Sequence, residues 1–472
     1  MKKHIIRKSL IAASMLLVTA MSYGQSSSSG YFVEGFSQRY QLNPAFAPER
    51  SFYLEIPGVS NIQMEAQSNV GISNFVFDTG DEKLHTFMSP KISADKFLDR
   101  MPSTTQITSN ISMDLFGFGF GGEKWFTSFN IKMRNNEEVL LPKSLFKFMK
   151  NSLSEGSYEI EDINIKTNTY LEVGLTHSQK VMENLTVGLG LKFLVGAEYA
   201  DINIDRIDAD LNGDSWKVKT QATVNAALPG VKYKYKTDEE TGRRIVEGAE
   251  EYKVNANDLI PQSYGFAVDL GAEYDFKDIV DGLKVSASIT DLGFINWKGM
   301  YTFATDKDKY VEFAGFNNYD VNGNNEDDDT MDKIQDDFED MMQFYPEMED
   351  DTKKVSLNAT FRLGAEYTVP TMEWLSVGEL FTYRSGSLPY VSSKTSVTLT
   401  PCGWFDLTGS YAFTSTGSSF GMLFNLHPAG INFFVAVDRI KAKFNPQFVP
   451  VDDFGLNFSI GLNLAVGGKR NR

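Results

Sequence analysis

Along residues 262–298 apolar and polar positions alternate with a period of two. Tyr264, Phe266, Val268, Leu270, Ala272 and Tyr274 share one face, and Gly265, Ala267, Asp269, Gly271 and Glu273 the other. After a polar turn from Lys277 to Gly282, Leu283, Val285, Ala287 and Ile289 alternate with Lys284, Ser286, Ser288 and Thr290. This period predicts extended strands, each with one greasy face and one small or polar face. The greasy face fits either a soluble sandwich, where it packs on a second sheet, or a membrane barrel, where it meets lipid.

The design recurs through most of the chain. Strands are expected near 51–77, 107–119, 123–134, 165–179, 185–205, 262–275, 283–297, 354–368, 374–385, 392–400, 404–414, 418–427, 430–440 and 454–466, fourteen in all. The turns at 120–122, 180–184, 276–282, 369–373, 400–403 and 428–429 are short. The connections at 78–106, 135–164, 206–261 and 298–353 are long. Because short and long alternate, the short turns all fall at one end. Outer-membrane barrels are built this way, with short periplasmic turns and long outside loops. A sandwich has no reason to sort its loops.

Tryptophans agree with that reading. Trp125, Trp374 and Trp404 each follow a short turn, Trp297 lies at the opposite end of its strand, and Trp216 is in a loop. Indoles at strand ends predict interfacial girdles. Two irregularities stand out. Near 107–120, Ile111, Met113 and Leu115 give way to Phe116, Phe118 and Phe120, a phase slip that predicts a bulge. Residues 206–261 carry alternation of their own, in Trp216-Val218-Thr220 and Val231-Tyr233-Tyr235, with a turn at Glu240-Thr241-Gly242. These are hairpins above the membrane, or an extra pair giving sixteen strands.

Length supports the barrel, since 472 residues exceed the roughly 250–300 at which a soluble core stops growing. A mean hydropathy of −0.26 is no objection, because barrels hide their apolar band in alternate positions. Residues 1–24 read as a secretory signal: Lys2, Lys3, Arg7 and Lys8, then the apolar run Leu10–Ala20, then Ser22-Tyr23-Gly24 before Gln25. The lone Cys402 excludes a disulfide framework, a thiolate metal site and a lipid-anchored N-terminal cysteine. Together these point to an integral protein of a bacterial outer membrane. Residues 25–50 are apolar and turn-like, and Pro44 and Pro48 break regular structure there. They predict an N-terminal plug or hatch, followed by a barrel over 51–472 with large extracellular loops at 206–261 and 298–353.

Charge is concentrated. Residues 306–353 hold seventeen Asp and Glu against four Lys, a net of −13 in a chain whose total is −17. The acidity therefore belongs mostly to one outside loop. Met331, Ile334, Phe338 and Met341 recur there at helical spacing, with Asp329 as N-cap and Pro346 as stop. Asp320, Asn322, Asn324, Glu326 and Asp328 have the oxygen spacing of a calcium loop. Asn325 stands where that loop needs glycine and Met331 where it needs a bidentate glutamate, so a solvated acidic loop is the competing reading. No other cofactor is expected, and no basic stripe suits nucleic acid.

Candidates for catalysis are few. His85, His177 and His427 are far apart, and no G-x-S-x-G elbow occurs. Gly117-Phe118-Gly119-Phe120-Gly121-Gly122 matches G-x-G-x-x-G formally, but a strand and not a helix opens at Lys124. Arg362, Glu366, Asp269, Glu273 and Glu198 are placed to point into a lumen, where they line a path or pair with one another. A barrel phospholipase is the remaining catalytic alternative, and no enzyme is expected.

Leu42-Asn43-Pro44-Ala45-Phe46-Ala47-Pro48, followed by a strand, resembles the Asn-Pro-Ala motif near the N-terminus of FadL- and PorV-type outer-membrane barrels. Gln38–Arg50 and Ser286–Gly293 also resemble a Bacteroidota family of uncharacterised outer-membrane proteins. The resemblance implies fourteen strands with the N-terminal segment folded into the lumen, and Asn43, Pro44, Ala45 and Phe46 at the junction of hatch and wall. Two functions follow from it. FadL-type barrels pass hydrophobic molecules, which implies a conduit for small, hydrophobic solutes. PorV-type barrels carry no chemistry and hold a secretion channel or cargo, which implies a scaffold with an envelope protein partner.

Overall fold

The structure, a computed structural model, describes residues 28–80, 84–151, 156–212, 216–238, 241–249, 262–313, 343–441 and 454–469. Its strands close into a ring of fourteen, each antiparallel to its neighbours. The ring closes where Phe454–Lys469 pairs with Arg50–Glu55 and Ile62–Ser68, which together form the first wall strand. Those two pieces pair on their other side with Thr104–Gly121. Closure leaves no free sheet edge in the wall, which is the condition for crossing a membrane with strands.

The side chains sort as the alternation requires. Leu189, Leu191, Phe266, Leu270, Leu363, Phe381, Phe413 and Phe420 are exposed on the outer surface. Ser128, Lys132, Lys192, Asp269, Ser286, Ser288 and Arg362 are buried on the inner one. A soluble sandwich would bury the first set. The chain is a transmembrane barrel.

Two wall strands continue beyond the rest of the ring, and further strands build on them. Ser157–Met182 and Leu185–Asp210 are 26 residues each and pair along nearly their whole length. Trp216–Ala227 pairs with the far end of Leu185–Asp210 and with Tyr301–Ala304, so it extends the sheet outward and adds nothing to the ring. Tyr233–Thr237 and Arg244–Ala249 form a separate hairpin. Fourteen, not sixteen, is the count.

The expected bulge lies between Asp114 and Phe116, where Leu115 is the extra residue against Lys132 and Ile131. A second bulge was not foreseen. Between Val268 and Leu270 a single residue opposes both Thr290 and Asp291, and Asp291 takes a φ of 62°. The extra residue exchanges the two faces of the strand. Before it, Ser286, Ser288 and Thr290 point inward; after it, Ile295 and Trp297 do. That corrects the girdle assigned to Trp297, which is 2 % exposed and packs with Tyr170, Leu194, Tyr199 and Met300. Trp125, Trp374 and Trp404 are exposed after their short turns.

Two other expectations need amendment. The first wall strand is not continuous: Ile56–Asn61 leave the ladder between its two pieces, and Gly58 has a φ of 78°. Phe344–Ser356, which includes Pro346, is a strand on the outer half of Leu283–Thr305, and the wall strand proper begins at Thr360. The amphipathic stretch Met331–Met341 and the calcium candidates Asp320, Asn322, Asn324 and Asp328 lie outside the described residues, as does the signal.

Candidate functional site

Residues 28–49 run through the ring and touch strands on every side. Tyr31, Phe32, Val33, Phe36, Tyr40, Leu42 and Phe46 are buried. Two 3-10 turns, Ser28–Gly30 and Arg39–Gln41, fold the segment back on itself without a strand that would need pairing. Polar contacts to the wall hold it in place. The Tyr31 hydroxyl lies 3.1 Å from Ser286 Oγ, and Ser288 donates to the Leu42 carbonyl at 2.9 Å. Ser37 donates to Asn432 at 2.7 Å, and Asn432 donates to the Gly35 carbonyl at 3.1 Å.

Asn43, Pro44, Ala45 and Phe46 sit where two wall strands are stripped of side chains. A Cβ on Gly188 would lie 2.0 Å from the Pro44 carbonyl carbon, and one on Gly271 2.0 Å from Asn43 Oδ1. Glycine is required at both positions for backbone to approach this closely. Asn43 is fully buried; its amide donates to the carbonyls of Ala272 and Ala287 at 3.4 Å, and its Oδ1 accepts the Ala45 N–H at 3.0 Å. The Arg39 guanidinium lies 4.0 Å over the Phe46 ring. The formal G-x-G-x-x-G run is strand and turn, and a Cβ on Gly117 would strike the Glu55 carboxylate.

Beside this segment lies a network of charges. Lys192 bonds Asp291 at 2.6 Å and Asp269 at 2.8 Å, with Glu172 at 3.6 Å. Arg134 bonds Glu172 at 2.9 Å and Asp291 at 3.0 Å. The bulge builds the centre of it: by doubling Thr290 and Asp291 against one residue it turns Asp291 inward, and the Asp291 N–H donates to Asp269 at 2.7 Å. Of the charges expected to face the lumen, Asp269, Arg362 and Glu366 are buried inside, and Glu273 lies 4.0 Å from Arg39. Glu198 is corrected. It is exposed and accepts from Thr169, because a register shift opposite Thr169 and Tyr170 places it off the lumen. Lys192, Glu172 and Arg134 were missed, although Lys192 between Leu191 and Phe193 has the signature of an inward cation on a greasy strand.

At the short-turn end, His427 joins segment to wall. Its Nδ1 lies 3.1 Å from Glu49 and its Nε2 3.0 Å from Asp406. Burial opposes a charged ring there, but the two carboxylates prevail and hold the imidazole up at about 9 from an ordinary 6.5. A raised value means that the stabilisation is fully present below about 6.5 and is lost as pH rises through about 9. Protease access to residues 28–49 is therefore expected to rise between pH 7 and 10 in the native chain, and to show no such step in His427→Gln. A pH-independent digestion of the native chain would contradict this.

Between the segment and the long connections the lumen is unfilled. A cavity of about 100 Å³ is lined by Ile295, Trp297, Val355 and Leu357 together with polar and charged groups, among them Lys132, Arg134 and Arg362. Among the described residues no group of His, Cys, Asp and Glu is placed to hold a metal ion.

A family model described as a family of unknown function, DUF5723, matches residues 44–438. No curated protein matches the sequence. Among solved structures, the chain is similar to the toluene transporter TbuX of Ralstonia pickettii, at 8% identity and a TM-score of 0.43 over 92% of this chain and 100% of that one. It is similar to a Pseudomonas aeruginosa FadL homologue at 9% identity and a TM-score of 0.43, over 94% and 99% of the two chains. The translocator domain of the autotransporter NalP from Neisseria meningitidis follows at 7% identity and a TM-score of 0.31, over 94% and 99%.

Proposed function

The chain belongs to the DUF5723 family, whose function is unknown, and from its own geometry we propose an outer-membrane conduit for small, largely hydrophobic solutes, with residues 25–50 as its hatch. One observation carries this reading: a cavity lined in part by Ile295, Trp297, Val355 and Leu357 remains in a lumen that residues 28–49 partly occupy. Asn43, Pro44, Ala45 and Phe46 are the hatch's seat on the wall. Apart from its continuation into the wall at Arg50, the segment is held by hydrogen bonds, ion pairs and van der Waals contact, so it can be displaced without breaking the barrel. No catalytic step enters the proposal.

A second reading has its own support. The strands Ser157–Met182 and Leu185–Asp210 are far longer than the 9–11 residues that cross a bilayer. Two apolar clusters stiffen the structure outside the wall, one around Ile160, Ile207 and Val218 and one around Phe77, Phe97 and Phe146. A rigid projection suits docking of an envelope protein partner.

Native mass spectrometry of the protein drawn gently from its own membrane separates the two. A stoichiometric small apolar molecule without protein is the expected result. A stoichiometric protein with an empty barrel would replace the conduit by the scaffold.

A further inference from the structure

The second cavity of the lumen, about 230 Å³, adjoins the first, and Arg384 lines both. Together they present six cations, Lys132, Arg134, Lys166, Arg362, Arg384 and Arg439, against two carboxylates, Glu138 and Asp291. This excess of positive charge sits inside a chain of net −17. Three of the six are neutralised close by: Arg384 by Glu65, Lys132 by Asp114, and Arg134 by Glu172 and the lining Asp291.

Two of the six are the most informative. Arg362 is 8 % exposed, and its partners are neutral oxygens: the Leu42 carbonyl at 3.4 Å and Thr290 Oγ1 at 3.0 Å. Arg439 is 5 % exposed and donates to Gln67 and to the carbonyl and hydroxyl of Thr416; its Nε has no partner. Among the described residues no carboxylate lies within ion-pair distance of either. A guanidinium buried without a carboxylate costs several kcal/mol, and its planar fork matches the oxygens of a carboxylate, phosphate or sulfate. The bulge that shifts register between Val437 and Arg439 lets Asp438 and Arg439 both face inward. Asp438 is taken by Lys394 at 2.7 Å and by the N-terminal segment at Ser28, which leaves Arg439 to the cavity.

We propose that these neighbouring cavities bind small solutes carrying an oxyanionic group, with Arg362 as the anion contact of the first, beside Ile295, Trp297, Val355 and Leu357, and Arg439 as that of the second. This rests on the conduit reading and adds the charge of what passes. The size suits a one-ring molecule, since an apolar cavity of about 150 Å³ takes up benzene.

The test is calorimetric titration of the purified full chain with phenyl phosphate, benzoate and benzyl alcohol as probes. The two anions are expected to bind at least about tenfold more tightly than the alcohol, a step of roughly 1.4 kcal/mol. Arg362→Gln and Arg439→Gln are each expected to weaken the anions by a similar factor and leave the alcohol unchanged, with Arg362→Lys intermediate. Retained heat-resistant migration on gels checks that each variant is folded. Equal binding of alcohol and anions, or anion binding that both glutamine variants preserve, would overturn the proposal. Flux into proteoliposomes is read separately. Anion binding without flux supports this site while removing the conduit, whereas alcohol flux with no anion preference keeps the conduit and removes this site.

Discussion

Gly188→Val is expected to dislodge the Asn43–Ala45 segment and raise passage through the lumen. The new side chain would meet the Pro44 carbonyl, whose carbon lies 2.0 Å and oxygen 2.1 Å from the first atom added. These are backbone atoms and cannot swing aside, so either the strand or the segment must move. Gly188 is paired on both sides, with Gly271 and Ser178, and the segment is held by scattered contacts. The segment should yield. Overpacking costs about 1–3 kcal/mol, which shifts a closed-to-open ratio by roughly 5- to 150-fold. Conductance in planar bilayers, with a chain lacking residues 25–48 as the fully open reference, reads the result. A folded Gly188→Val barrel with native conductance would mean that the lumen is closed by other parts.

Lys192→Met should cost more stability than any other single change in the wall. Lys192 touches Glu172, Asp269 and Asp291 at once. Methionine keeps the stem's volume but strands three buried carboxylates with Arg134 alone. Removing one partner of a buried ion pair typically costs about 3–5 kcal/mol. Unfolding in denaturant, followed by tryptophan fluorescence, measures the loss. Asp269→Asn on the same background should recover part of it, because one fewer carboxylate then lacks a cation. A midpoint within error of the native chain would show that the network contributes nothing to the barrel's stability.

How much of this was legible beforehand depends on range. Alternation is written in neighbouring residues, so Tyr264 to Ile289 alone give the strand geometry and its two faces, and loop sorting gives the closed ring of fourteen. The bulge near Asp114 was legible because it breaks a run of large apolar residues, Met113, Leu115 and Phe116, in plain view. The bulge at Asp291 was hidden. Ser-Ile-Thr-Asp-Leu-Gly continues an acceptable alternation through it, and only pairing with Val268 and Leu270 reveals the added residue. From that omission came the misplacement of Trp297. The charge network was hidden for a related reason: Arg134 and Asp291 are 157 positions apart and meet only across a closed ring. Asp269 and Arg362 were legible as inward charges, yet that Lys192 would take the one and no carboxylate the other was not.

With the long connections facing outward, the orientation that goes with the proposed conduit, the long pair Ser157–Met182 and Leu185–Asp210 also decides what the cell shows to its surroundings. At about 3.3 Å per residue, 26 residues make roughly 85 Å of strand. Tilted by about 40°, that rises roughly 65 Å, against a hydrocarbon core of about 30 Å. The surplus clears the lipid headgroups, which bring the bilayer to about 40–45 Å. Antibodies and bacteriophage would therefore meet this tower before they met the bilayer, and variation in its outward residues carries little penalty for the wall below.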